Sequence, residues 1–141
     1  MMALSSNEEK KTSDNPQLLY LTIESTIDSV TGNPNMKIIQ QQLVNGELKG
    51  DADPTSKPGD WQISLLDRKG KRIDSLIVED PHIRDMEYVN DKGEFAIRKI
   101  QYIRTEVPFR FNYSSAVKEI EVIEITGDLN NKPLFRSVLI L

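Results

Sequence analysis

The sequence predicts an all-β protein, a single antiparallel β-sandwich of about seven to eight strands. Three observations lead there. Val107, Phe109, Phe111 and Tyr113 alternate with Pro108, Arg110 and Asn112, and after a Ser114-Ser115-Ala116 corner Ile120 and Val122 alternate with Glu119 and Glu121. Successive strand side chains point to opposite faces, so this period of two writes two half-buried strands joined by a tight connection. Similar short runs recur along the chain with Gly, Pro, Asn and Asp between them. Finally, helical spacing fits only Ala116 to Ile125, where Glu119, Glu121 and Glu124 break the apolar stripe and β-branched residues favour strand. Without a crossover helix no parallel sheet is implied.

The elements follow in order. Met1 to Pro16 is polar after Leu4 and is expected to be a disordered tail or tether, because it cannot bury enough surface to offset its ordering entropy. The sandwich domain then covers residues 17–141. Leu19, Leu21 and Ile23 alternate with Tyr20, Thr22 and Glu24 in a first strand, and Asp28 to Asn35 is a loop. Met36 to Val44 is a second strand whose three glutamines suggest one wet face. Asn45-Gly46 is a two-residue turn signal, with Glu47 to Lys49 as a short returning strand. Gly50 to Asp60 is a loop. Trp61, Ile63 and Leu65 share a face of the next strand, Asp67 to Gly70 turns, and Arg72 to Val78 returns. Glu79 to Gly93 breaks the pattern apart from a short strand at Met86 to Val89 and a turn at Asn90 to Gly93. Phe95 to Thr105 is a long strand in which Phe95 and Ile97 share one face and Ile100 and Tyr102 the other, a slip of the kind a β-bulge makes. After the two alternating strands, Gly127 to Pro133 turns into a last strand, Leu134 to Leu141. A second slip, from Val122 to Ile123, puts Glu124 in phase with buried residues unless a bulge intervenes.

Trp61 on an early strand, the Lys69-Gly70-Lys71 hairpin, Pro108-Phe109, and Tyr113-Ser114-Ser115-Ala116-Val117-Lys118-Glu119-Ile120 together resemble immunoglobulin-like and fibronectin type III-like domains of bacterial secreted and cell-surface proteins. The resemblance covers roughly residues 17–141 and implies an immunoglobulin-like sandwich. It also implies a role as spacer, adhesive module or accessory unit beside an enzyme. The chain departs from true immunoglobulin domains in lacking the paired cysteines. An extracytoplasmic setting, periplasmic or at the cell surface, is expected from the resemblance and from a polar amino-terminal segment of the kind that follows an export signal.

Composition narrows function further. Net charge is −4 with both signs interspersed, and Lys69-Gly70-Lys71-Arg72 sits where a hairpin turn belongs, so no nucleic-acid surface is expected. No apolar run approaches the ~20 residues of a spanning helix. With no cysteine, disulfides and thiolate chemistry are excluded. No cofactor motif is present: the seven glycines are scattered among turns, and no Gly-x-Ser-x-Gly elbow occurs.

The candidate interaction surface is Tyr20, His82, Asp85, Glu87 and Tyr88. Exposed tyrosines can stack on sugars or anchor a protein, so the expected partner is a protein or a carbohydrate. His82 is the sole histidine and is expected to be an exposed loop residue, but with Asp85 and Glu87 nearby an accessory metal-dependent domain or enzyme centred on residues 80–87 is the alternative. Asp51, Asp53 and Asp60 could offer oxygens to calcium, though their spacing matches no calcium loop and turn chemistry explains them. Glu119 and Glu121 share a solvent face, which supplies no buried carboxyl for acid–base work. The run Val138 to Leu141 is expected to be covered on both sides or to pair with a partner, and as a bare edge it would drive self-association. Burial of Val107, Phe109, Phe111 and Tyr113, at about 1.5–3 kcal/mol each, makes that segment core and moves the search for function to loops and edges.

Overall fold

Alternation turns into layers wherever two apolar faces can meet. A computed structural model describes residues 15–50, 55–127 and 131–141. Among the described residues there are nine strands and no helix. They are β1 (Gln17–Ile27), β2 (Pro34–Asn45), β3 (Trp61–Leu66), β4 (Arg72–Val78), β5 (Ile83–Val89), β6 (Phe95–Gln101), β7 (Arg104–Asn112), β8 (Glu119–Glu124) and β9 (Lys132–Val138). They form a three-stranded sheet, β2-β1-β7, a four-stranded sheet, β4-β3-β8-β9, and a separate two-stranded ribbon, β5-β6. Every pairing is antiparallel.

One hydrophobic core draws on both larger sheets. From the first come Leu19, Leu21 and Ile23 of β1, set opposite Phe111, Phe109 and Val107 of β7. From the second come Trp61, Ile63 and Leu65 of β3, with Val122 and Ile120 of β8 set opposite Ile63 and Leu65. All are buried, as the period of two requires. The Phe109 and Phe111 rings meet edge to face, with centroids 5.8 Å apart. Pro108 sits on β7, an edge strand, where its missing N–H breaks no ladder. At the β3–β4 turn, Asp67 Oδ1 accepts from the Lys69 and Lys71 N–H groups at 2.8 and 2.9 Å, and Gly70 takes φ 82°, which an L-residue resists.

Several sequence expectations need correction. Residues 47–49 form no strand: β2 ends at Asn45, Gly46 N–H bonds to Pro16 O at 3.0 Å, and Leu48 exchanges hydrogen bonds with the Asn112 side chain. The backbone groups of Leu48 are thus satisfied by a side chain and not by a ladder. The long strand at residues 95–105 is two strands, β6 and β7, separated at Tyr102 and Ile103. Its phase slip, between Ile97 and Ile100, lies within β6 and is no bulge: the register with β5 is unbroken there, and apolar residues simply occupy both faces of the ribbon. A register shift does occur in β8–β9 between Val122 and Ile123, leaving Glu124 half-buried opposite Trp61. The short strand expected at residues 86–89 extends back to Ile83. The last strand stops at Val138, so Leu139–Leu141 is not strand. Leu139 turns into the core, but the side chains of Val138, Ile140 and Leu141 stay exposed, and no described strand pairs with the outer edge of β9. The expected disorder of residues 1–16 falls mostly outside the described residues.

Candidate functional site

The β5–β6 ribbon stands apart from the two sheets. Its turn is written locally: Asn90 Oδ1 accepts from the Lys92 and Glu94 N–H groups, each at 3.0 Å, and Gly93 N–H bonds to Asn90 O at 3.0 Å. Cross-strand partners share a face. One face therefore carries Asp85 opposite Lys99, Glu87 opposite Ile97 and Val89 opposite Phe95; the other carries Arg84 opposite Ile100, Met86 opposite Arg98 and Tyr88 opposite Ala96. Neither β5 nor β6 packs broadly against a strand of the larger sheets. Phe95, Ile97 and Val89 consequently remain 84%, 66% and 60% exposed, side by side near the turn.

The base of the ribbon is built around His82, which is only 3% exposed. Its Nδ1 lies 2.6 Å from the Tyr102 carbonyl oxygen, an atom that only accepts, so Nδ1 carries the proton. In the neutral ring Nε2 is then the acceptor for the Ser25 hydroxyl, 2.8 Å away; the tautomer is assigned from this network. Along the backbone, His82 N–H donates to Asp80 Oδ1 at 2.9 Å, and Tyr102 N–H donates to His82 O at 2.7 Å. The indole of Trp61 lies against the imidazole, with ring centroids 5.9 Å apart. His82 thus touches β1 through Ser25 and β3 through Trp61, and it joins the entering leg of the ribbon to the leaving one. Next to Tyr102, Ile103 O accepts from Ile27 N–H at 2.8 Å, and Arg104 Nε donates to Glu24 Oε2 at 3.1 Å. That hydrogen bond is the main reason the Glu24 carboxyl lies below its ordinary pKa; partial loss of hydration opposes it, and the charges of Arg104 and Lys37 add to it.

Ser25 and His82 have the spacing of an activated hydroxyl, but the chemistry does not follow. Ser25 is fully buried, and Nδ1 faces a carbonyl where a triad places a carboxylate. Both ring nitrogens are engaged by protein groups. Among the described residues, no three His, Cys, Asp or Glu side chains converge to hold a metal ion.

Two clefts open on the surface, the first of them beside the ribbon. One, of about 420 Å³, opens between the ribbon and the body, with Lys57, Asp60, Glu79, Asp80, Arg84 and Lys99 among its walls. The other, of about 450 Å³, runs along the free edge of β2 beside β9, between Ile38 and Phe135, and Gln41 Nε2 crosses it to donate to Ile140 O.

The sequence-derived surface is therefore divided. Asp85, Glu87 and Tyr88 do lie together and exposed on β5, with Tyr88 on the face opposite the two acids. Tyr20 is elsewhere, half-buried on the outer face of β1, where Arg110 Nη1 donates to its hydroxyl at 3.1 Å and the guanidinium lies over its ring. His82, expected at the surface, is buried, so it offers nothing to a partner directly. Asp51 and Asp53 lie outside the described residues, while Asp60 Oδ2 accepts from Lys57 N–H at 2.9 Å in an ordinary turn. Phe95, Ile97 and Val89 fall outside the sequence-derived surface because apolar alternation by itself marks a face and not whether that face is covered. A signal was present in their position flanking the Asn90–Gly93 turn, where a ribbon tip leaves both faces wet.

Compared with known proteins, the chain matches no family model, no curated protein and no solved structure.

Proposed function

We propose that this protein is a non-catalytic binding module, an immunoglobulin-like β-sandwich of an exported or cell-surface bacterial protein, which engages a protein partner with the tip of its β5–β6 ribbon. The observation that carries this is the contiguous exposure of Phe95, Ile97 and Val89 on one face of a projecting element. Monomeric proteins tend to cover such patches unless they serve association. Asp85 and Glu87 continue the same face toward the base and supply a polar rim around an apolar centre.

The immunoglobulin-like class is supported by layering: three and four antiparallel strands contribute to one core. The likeness lies in layering more than in connectivity, since β1, and not β2, is central in the three-stranded sheet, and β5–β6 is inserted in the chain between β4 and β7 as an extra ribbon. The exported setting rests on the sequence resemblance. A non-catalytic role is supported by the closure of Ser25 and His82. The competing metal-dependent function at residues 80–87 needs a ring nitrogen that the Ser25 and Tyr102 contacts already occupy.

Site-specific photo-crosslinking tests the proposal. A crosslinking residue in place of Ile97 should give a discrete protein adduct in the native host, and Phe95→Ser in the same chain should abolish it. No adduct above that formed from the exposed Val30 position would sink the proposal. A chelator that lowers the melting midpoint, together with stoichiometric metal, would reinstate the metal-dependent alternative.

A further inference from the structure

We propose that His82 is a pin: its side chain fixes the angle of the β5–β6 ribbon, and releasing it lets the ribbon swing against the two sheets while those sheets stay folded. The ribbon has little else to hold it. β5 is exposed from end to end, and no strand of either sheet packs broadly on β5 or β6. A two-stranded ribbon gains no orientation from its own ladder. Its direction is set where the two legs meet the body, and there the only buried side chain of the entering leg is His82.

The ring is placed to act on both legs and both sheets. Nδ1 bonds across to Tyr102 O on the leaving leg at 2.6 Å, Nε2 meets Ser25 on β1 at 2.8 Å, and Trp61 of β3 lies against the ring. Arg84 lies over the Tyr102 ring, 5.8 Å from its centroid, and this clamps the legs on the outside. Ser25 is the second sign. It stands in the inward phase of Leu19, Leu21 and Ile23, fully buried, where a hydrophobe would pack better. Its hydroxyl finds its partner in His82, and a satisfied buried polar pair specifies a single arrangement more sharply than apolar contact does. The cleft between ribbon and body gives the motion room: Ile83, Arg84 and Lys99 form its moving wall, and Lys57 to Asp60 its fixed one.

The pin rests on its own geometry; only its use, presenting Phe95 and Ile97 at a set angle, rests on the binding function proposed above. Measurements without a partner therefore separate the two failures. The chain has no cysteine, so cysteines introduced for Lys92 at the ribbon turn and Arg68 at the β3–β4 turn accept two spin labels cleanly. In the wild-type background the distance distribution should be narrow. Ser25→Ala and His82→Leu should broaden it, and Ser25→Thr, which keeps the hydroxyl, should not. Amide exchange in residues 83–101 should accelerate about tenfold in Ser25→Ala, a loss on the scale of one buried hydrogen bond, with residues 19–25 and 61–66 unchanged. An unchanged distance distribution in both pin variants overturns the proposal. So does acceleration spread equally over the two sheets, since the pair would then hold the whole fold and not the ribbon's angle.

Discussion

Two phenylalanines in alternating strands should respond very unequally to the same substitution. Phe111 is 2% exposed and Phe95 is 84% exposed. On β7 the Phe111 ring lies in the shared core, opposite Leu19 and edge to face with Phe109. Phe111→Ala removes the transfer free energy of the ring and leaves a cavity, a loss of about 3–5 kcal/mol, of which about 0.5–1.5 belongs to the ring pair. Phe95→Ala deletes a ring that already faces water and should stay within about 0.5 kcal/mol of the wild type. Against a total stability on the order of 5–15 kcal/mol, the first change is severe and the second negligible. Urea unfolding followed by Trp61 fluorescence measures both. With a slope of about 2 kcal/mol/M, the Phe111→Ala midpoint should drop by about 1.5–2.5 M at unchanged slope. A Phe111→Ala cost below about 1 kcal/mol, or a Phe95→Ala cost as large as that of Phe111→Ala, would refute the assignment of inward and outward faces.

Other outcomes follow from the charges and the open edge. Glu24 and Glu119 have folded-state pKa values lowered from 4.5, chiefly by side-chain hydrogen bonds from Arg104 and Arg136, with partial desolvation opposing. Carboxyls depressed in the folded state contribute stability above their unfolded pKa and lose it as pH falls through the lowered value, so the urea midpoint should decline below about pH 4.5. The decline should be shallower in a Glu24→Gln/Glu119→Gln double variant, and parallel curves would show that these pairs contribute nothing. Val138 and Ile140 are exposed beside the unpaired edge of β9, so light scattering at high concentration should detect self-association that Val138→Lys and Ile140→Lys reduce. A strictly monomeric wild type would count against that edge as a contact.

Much of the strand content was legible because alternation is local. Leu19, Leu21 and Ile23, and again Val107, Phe109 and Phe111, are buried on the face their spacing marks. The β3–β4 hairpin was equally legible, since Asp67 and Gly70 carry their turn chemistry within a few residues. The break between β6 and β7 was not: no Gly or Pro marks Tyr102 and Ile103, and only the pairing of residues 95–101 with β5 and of 104–112 with β1 divides the run. His82 was misplaced for a similar reason. Its acidic neighbours, Asp80 and Asp85, suggest solvent, but Ser25 and Tyr102, 57 and 20 residues away in sequence, draw the ring inside.

By itself, the sequence determined that the chain forms antiparallel strands, where most of them turn, and which side of each is apolar, because side-chain direction and turn conformation depend on a few adjacent residues. Only the tertiary structure decided which apolar faces are covered. Leu21 meets an opposing layer, whereas Phe95 and Ile97, in the same alternating pattern, meet none. A period of two specifies a face, but burial requires a second surface brought there by distant parts of the chain.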